Sequence, residues 1–140
     1  MSPNRDEDRI YHLTPASYYR QQPLNQPYQP VTFAEEGFIH CTAGAAKLIE
    51  TANLYFVALQ DELLALEIDP ARLAVPLIFE PPIPPQQAAM ATVPSRQPDP
   101  NTLFPHIYGP LNRPAIIACF PLDRDATGRW QMPNSMTAGH

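Results

Sequence analysis

The chain has 140 residues and a formal net charge of −5, with nine Lys and Arg residues against fourteen Asp and Glu residues. This length suits one domain, large enough to bury an apolar core. One lysine and eight scattered arginines provide no basic track for a polynucleotide. No apolar run reaches the roughly 20 residues that span a bilayer. We therefore expect a soluble, cytoplasmic protein with no nucleic-acid or membrane partner.

Alternating apolar and polar residues predict a first strand over residues 9–14. Thr14 and Pro15 are typical of a helix N-cap followed by its first residue, so we predict a short helix that ends near Gln22. The two faces of the strand carry Ile10, His12 and Thr14 on one side and Tyr11 and Leu13 on the other.

A second strand is predicted after Gly37, with Phe38, His40 and Thr42 on one face. We expect Thr42 to serve also as the N-cap of the next helix. Apolar residues then recur at helical spacing from Ala45 and predict an amphipathic helix that packs on a sheet. These apolar positions are Leu48, Ile49, Ala52, Tyr55 and Leu59.

Residues 63–68 and 75–80 predict two further strands, which we expect to pair with each other in antiparallel fashion. Seven prolines predict a long loop with polyproline character over residues 81–102. Two more strands are predicted at residues 103–109 and 115–120. The last is apolar on both faces and is therefore expected at the centre of a sheet.

Six short strands and two short helices predict an α+β domain, built on a small, curved, mixed or antiparallel sheet or on a split sandwich. The domain is predicted over residues 9–131, between a flexible N-terminus at 1–8 and a frayed tail at 132–140. The two cysteines, Cys41 and Cys119, lie in apolar runs. We expect two buried, reduced thiols, with a disulfide as the alternative.

Three of the four histidines lie in strand-like segments beside an aromatic residue: His12, His40 and His106. Each could instead be a half-buried sheet residue bonded to a backbone carbonyl. The spacings of the three histidines permit zinc coordination but do not specify it. No HxH or HExxH motif supports such a site, so we predict no metal. A Cys41 nucleophile would need a base other than His40, because sequence neighbours in a strand face opposite sides. The Glu35–Glu36 pair is interpreted as a solvated turn.

Three blocks resemble the domain of unknown function 952 family: EEGFIHCT at 35–42, LEIDP at 66–70 and FPHIYGPL at 104–111. The resemblance extends over roughly residues 9 to 122. The family is in turn distantly similar to the ADP-ribosyltransferase superfamily, especially its RNA 2′-phosphotransferase branch. Residues 11–14 are similar to that branch's Tyr-His-Gly-Thr strand, with Leu13 in place of glycine, and residues 39–42 resemble its second histidine strand.

This resemblance implies an ADP-ribosyltransferase-like fold and NAD as the cofactor or substrate. It places His12 against a ribose hydroxyl, His40 across the cleft, and His106 with Tyr108 in the wall. We predict these three histidines as catalytic residues lining one cleft, which prefers an anionic or nucleotide-like small molecule. Two functions stay open: transfer or hydrolysis of ADP-ribose, and a non-catalytic ligand-binding or interaction module. The predicted ligand-binding residues are Tyr11, Thr14, Phe38, Thr42, Tyr108 and Arg113.

Overall fold

The structure, a computed structural model, describes residues 9–81 and 103–133. Its strands are β1 (Ile10–Pro15), β2 (Ile39–His40), β3 (Thr42–Ala43), β4 (Leu63–Ile68), β5 (Leu77–Glu80), β6 (Phe104–Ile107), β7 (Ile116–Pro121), β8 (Asp123–Arg124) and β9 (Trp130–Gln131). Its α-helices are α1 (Ala16–Arg20), α2 (Phe33–Glu36) and α3 (Ala45–Tyr55). The predicted flexible N-terminus, almost all of the proline-rich loop and most of the predicted tail lie outside the described residues.

The strands form a four-stranded sheet in the order β3-β1-β4-β7, a three-stranded sheet in the order β2-β6-β5, and the hairpin β8-β9. Every pairing is antiparallel. The predicted α+β class with antiparallel sheets is therefore confirmed. The described residues contain more strands and one more α-helix than the sequence predicts, because several of these elements are only two to four residues long.

Helix α3 covers one face of the four-stranded sheet, as its spacing predicts. Its buried residues Leu48, Ala52 and Tyr55 pack against Tyr11 and Leu13 of β1. Burying a leucine side chain of this kind contributes about 1.5–3 kcal/mol. Tyr11 and Leu13, which were predicted to share one face of β1, both lie in this helix-side core.

The other face of β1 meets the three-stranded sheet. Ile10 of β1 and Leu66 of β4 lie in one buried cluster with Ile39 of β2 and Ile107 of β6. The molecule is thus layered as helix α3, four-stranded sheet and three-stranded sheet. Between the two sheets the core is continuous, which fixes how they are placed relative to each other.

The chain changes sheets at Cys41. The Cys41 N–H still donates to the Pro105 carbonyl of β6 at 3.0 Å, whereas Thr42 pairs with Tyr11 of β1. Thr42 therefore does not share a face with His40, and the predicted single strand is two. The prediction that Thr42 caps α3 is also wrong, because Gly44, with φ 88°, is the N-cap. Thr14 likewise stays inside β1, and α1 begins only at Ala16.

Two expectations about strand placement are wrong. Strands β4 and β5 do not pair, because β4 lies between β1 and β7 while β5 pairs with β6. Strand β7 is the edge of the four-stranded sheet and not its centre, and its residues Ile117 and Cys119 are exposed. Both thiols are free, and Cys41 is buried as expected, but the expectation that Cys119 is buried is wrong.

Candidate functional site

His40 and His106, called here the histidine pair, lie on the outer face of the three-stranded sheet. They are directly opposite each other across β2 and β6. Their strand neighbours Ile39 and Ile107 point into the core between the sheets. Because successive side chains in a strand face opposite sides, the histidine pair points away from that core.

Aromatic rings surround the histidine pair. The centroids of the two imidazoles are 5.5 Å apart, with an interplanar angle of 75°. Phe38 lies 4.7 Å from His40 and 4.6 Å from His106, measured between ring centroids, and Tyr108 lies 5.4 Å from Phe38. Phe38 and Tyr108 each come two residues from a histidine in sequence, which places them on its face of the strand.

Glu36, at the end of α2, supports His40. Its Oε1 lies 3.2 Å from His40 Nε2 and accepts a hydrogen bond from Thr32 Oγ1 at 2.8 Å. The Glu36 side chain is only 6% exposed, so the prediction of a solvated turn is wrong for this residue. Burial lowers the pKa of His40, and the nearby Glu36 carboxylate opposes that shift.

Glu80, at the end of β5, supports His106 in the same manner. Its Oε1 lies 2.7 Å from His106 Nδ1 and accepts a hydrogen bond from the Tyr108 hydroxyl at 2.6 Å. The hydrogen bonds from Tyr108 and then His106 lower the pKa of Glu80, which keeps it ionised. The same bond to Glu80 raises the pKa of Tyr108, which keeps its proton in place.

Each ring of the histidine pair keeps one nitrogen free. Among residues 9–81 and 103–133, His40 Nδ1 and His106 Nε2 have no hydrogen-bond partner. In the same residues, the one fully buried side-chain nitrogen or oxygen without a partner is Thr42 Oγ1. The His40 side chain is 19% exposed, whereas the His106 side chain is only 2% exposed.

His12 lies one layer below the histidine pair, between the two sheets. Its Nδ1 is 2.7 Å from the His40 backbone carbonyl and its Nε2 is 3.0 Å from the Tyr28 hydroxyl. Burial lowers the pKa of His12 to about 4, so the ring is neutral at pH 7. Both of its nitrogens are engaged, and it contacts the histidine pair through backbone.

Comparison with known proteins identifies a family. The family described as "Protein of unknown function (DUF952)" matches residues 13–119. The chain belongs to this family.

Two solved structures resemble this DUF952 chain, both of protein CC0527 from Caulobacter crescentus. The unsubstituted protein has 25% identity and a TM-score of 0.59, and a double mutant of it has 22% identity and a TM-score of 0.64. Each match covers 88% of this chain and 93% of CC0527. No curated protein gives a significant match. These comparisons therefore assign the chain to a family with a known fold, but they name no reaction.

Three other predicted residues of this DUF952 domain lie away from the histidine pair. Tyr11 is buried in the helix-side core, with its ring edge-on to Phe120 at 6.4 Å. Thr42 is its buried partner across β1 and β3. Arg113 donates to Gln26, Tyr19 and Pro23, and it thereby binds the loop that follows α1.

Cys41 is not suited to act as a nucleophile in this DUF952 domain. Burial raises the pKa of its thiol far above the usual range. A thiolate at this position would be disfavoured at neutral pH.

Glu36, Glu80 and Tyr28 are the site residues that the sequence analysis missed. Glu36 has a local signal, since it comes four residues before His40 at a glycine-ended helical turn. Glu80 and Tyr28 have none, because they meet His106 and His12 across 26 and 16 residues of chain.

Two further properties concern only the described part of this DUF952 chain. It contains no group of three or more His, Cys, Asp or Glu side chains arranged to hold a metal ion. Within it, each helix is too short or too polar to cross a bilayer.

Proposed function

We propose that this DUF952 domain binds a small, nucleotide-like ligand on the outer face of the three-stranded sheet, against His40 and His106. The observation that carries the proposal is the pair of adjacent imidazoles, each with one nitrogen held by a glutamate and the other without a hydrogen-bond partner among the described residues. Binding sites for small molecules commonly combine apolar and aromatic walls with a few fixed polar groups. Here Phe38 and Tyr108 supply the aromatic wall.

The resemblance of residues 11–14 and 39–42 to ADP-ribosyltransferases makes NAD and ADP-ribose the first ligands to test. A polynucleotide is not expected, because the chain's few cationic groups cannot follow a phosphate backbone. Within the described site, the charged groups beside the histidine pair are the carboxylates of Glu36 and Glu80.

The test is calorimetric titration of NAD, ADP-ribose and a short RNA at moderate salt. We expect saturable binding of at least one of the two nucleotides and none of the RNA. His106→Gln should weaken binding at least tenfold, because it removes the free ring nitrogen. Cys119→Ser, on the exposed edge strand β7, is the matched control and should bind like the wild type. RNA binding with a steep salt dependence, without a response to the nucleotides, contradicts the proposal.

Catalysis is the second candidate function, and the close approach of the two imidazoles favours it. Two rings 5.5 Å apart, each held by a carboxylate, can act as base and acid on one bound molecule. On NAD the reaction would cleave the bond between nicotinamide and ribose and pass ADP-ribose to water or another acceptor. Release of nicotinamide that is lost in His106→Gln would establish an enzyme. A ligand-induced rise in Tm without such release would establish a binding module.

A further inference from the structure

Strand β2 carries His40 to the site, although it is only two residues long and lies at the edge of the three-stranded sheet. The Cys41 N–H donates to the Pro105 carbonyl, so these two residues form a hydrogen-bonded pair. In an antiparallel ladder such pairs alternate with pairs whose backbone groups point away from the partner strand. The next pair, His40 with His106, is of this second kind. The His40 carbonyl therefore points away from β6.

His12 supplies the partner of this carbonyl. Its Nδ1 lies 2.7 Å from the His40 carbonyl oxygen, which can only accept a hydrogen bond, so Nδ1 carries a proton. Burial lowers the pKa of His12 to about 4, so the ring is neutral at pH 7 and its Nε2 is an acceptor. The Tyr28 hydroxyl, 3.0 Å away, donates to Nε2. The direction of both hydrogen bonds is thus determined.

Tyr28 holds the His12 ring from its other side. It is completely buried, and its backbone exchanges two hydrogen bonds with Leu111, at 2.8 and 2.9 Å. The carbonyl carbon of His40 is bonded to the Cα that carries the imidazole, so the hydrogen bond from His12 fixes the backbone from which this imidazole projects. Such support matters, because a contact group that is slightly misplaced loses much of its effect on a bound molecule.

We propose that His12 is a positioning residue of the candidate site, which does not contact the ligand and holds the His40 imidazole opposite His106 through the His40 carbonyl. Its effect on ligand binding rests on the proposed function, whereas its effect on His40 concerns the free protein. This role differs from the contact with a ribose hydroxyl that the family resemblance implies for His12.

Two variants separate the two hydrogen bonds of His12. The amide nitrogen of asparagine is bonded to Cγ, as Nδ1 is in histidine, whereas the amide group of glutamine reaches the position of Nε2. His12→Asn combined with Tyr28→Phe should therefore keep the hydrogen bond to His40 and leave no unpaired hydroxyl group. His12→Gln should keep the hydrogen bond to Tyr28 and lose the one to His40.

The measurement in the free protein is the pKa of His40, followed by NMR on histidine-labelled protein. Burial is the main cause that lowers this pKa, while Glu36 raises it and His106 lowers it. In His12→Gln we expect His40 to become more exposed, so that its pKa rises towards the usual 6.5. The double variant should keep the wild-type value. No change in His12→Gln, or the same rise in both variants, overturns the proposal.

The wild-type protein provides a test that needs no variant to fold. Long-range ¹H–¹⁵N spectra at pH 7 should show His12 as the Nδ1–H tautomer, because Nδ1 donates to the His40 carbonyl. An Nε2–H tautomer of His12 overturns the proposal.

The effect on the ligand is measured by calorimetric titration of ADP-ribose. His12→Gln should bind about fivefold more weakly, as for the loss of one hydrogen bond, and the double variant within about twofold of the wild type. Equal affinities of the wild type and His12→Gln overturn the effect on binding. If the wild type binds neither NAD nor ADP-ribose while the pKa of His40 responds as stated, the proposed function fails and the positioning of His40 by His12 stands.

Discussion

At the scale of single residues, the three histidines occupy two different environments. His40 and His106 each have one ring nitrogen without a hydrogen-bond partner among the described residues, whereas both nitrogens of His12 form hydrogen bonds inside the core. Their sequence contexts are alike, so the difference comes from what surrounds each ring after folding. His12 is best described as a buried link between the sheets, since it ties β1 to the backbone of β2.

The buried state of His12 predicts a pH-dependent stability. Its pKa is about 4 in the folded protein and near 6.5 in an unfolded chain, so the unfolded state takes up the proton first. The contribution of neutral His12 to the free energy of unfolding is thus fully present above pH 6.5 and is lost as the pH falls towards 4. Between about pH 7.5 and pH 4.5 we expect His12 to account for a loss of about 2–3 kcal/mol in the free energy of unfolding.

Urea unfolding at both pH values measures this loss. His12→Gln is the comparison, because other groups whose pKa is shifted by folding, such as Glu80, remain in the variant. The drop in stability should be smaller in the variant by the amount that His12 contributes. Equal drops in both proteins contradict the assignment of His12 as a neutral buried ring.

At the scale of secondary-structure elements, edge strands determine what is exposed. Strand β7 has an apolar sequence but only one neighbour in its sheet, and Cys119 on it is exposed, while Cys41 is buried at the switch between the sheets. The loop after β6 is fixed by close packing, because Gly109 lies directly against Val75. That contact sets the path of the chain next to Tyr108 of the site.

The two cysteines should differ in reactivity. We expect an aromatic disulfide reagent to modify one thiol per folded chain rapidly and the second only after denaturation. The reason is exposure of Cys119 together with burial of Cys41, which raises the pKa of that thiol. Cys119→Ser should abolish the rapid phase, and rapid modification of both thiols would show that Cys41 is accessible.

Gly109→Ala should destabilise the domain. A Cβ at Gly109 would lie 2.6 Å from Val75 Cγ1 and 2.8 Å from Val75 Cβ, closer than real Cβ contacts. Overpacking of this kind typically costs about 1–3 kcal/mol, which chemical denaturation can measure. Gly109→Ala should cost less stability when it is introduced into the Val75→Ala variant than when it is introduced into the wild type. If Gly109→Ala costs the same with and without Val75, the contact is not the cause.

At the scale of the whole molecule, the layers explain why the site lies where it does. Helix α3 closes one face of the four-stranded sheet and the three-stranded sheet closes the other. The outer face of the three-stranded sheet then carries the histidine pair and its aromatic neighbours. The two core clusters on either side of the four-stranded sheet consist of apolar and aromatic side chains.

Removal of metal ions should therefore leave the protein folded. We expect the same melting curve with and without EDTA, because a structural metal contributes folding free energy that a chelator would remove. Metal analysis of the purified protein is the control. Co-purification of one metal ion per chain, lost in His12→Ala, would contradict this expectation.

The sequence by itself determined the local elements whose periodicity records a buried face. The alternation in β1, the bounds of β4 at residues 63–68 and the amphipathic pattern from Ala45 all correspond to observed elements. The motif blocks also indicated the family, and His40 and His106 were recognised as candidates. Such features are local, because the burial of a face recurs every two residues in a strand and about every 3.6 in a helix.

Only the tertiary structure decided which strands are neighbours and which polar groups meet. The change of sheet at Cys41, the edge position of β7 and the pairing of Glu80 with His106 depend on partners distant in sequence. Whether Glu36 is solvated or buried against His40 was settled in the same manner. The physical reason is that pairing and desolvation are properties of the packed layers, and no short window of sequence contains both partners.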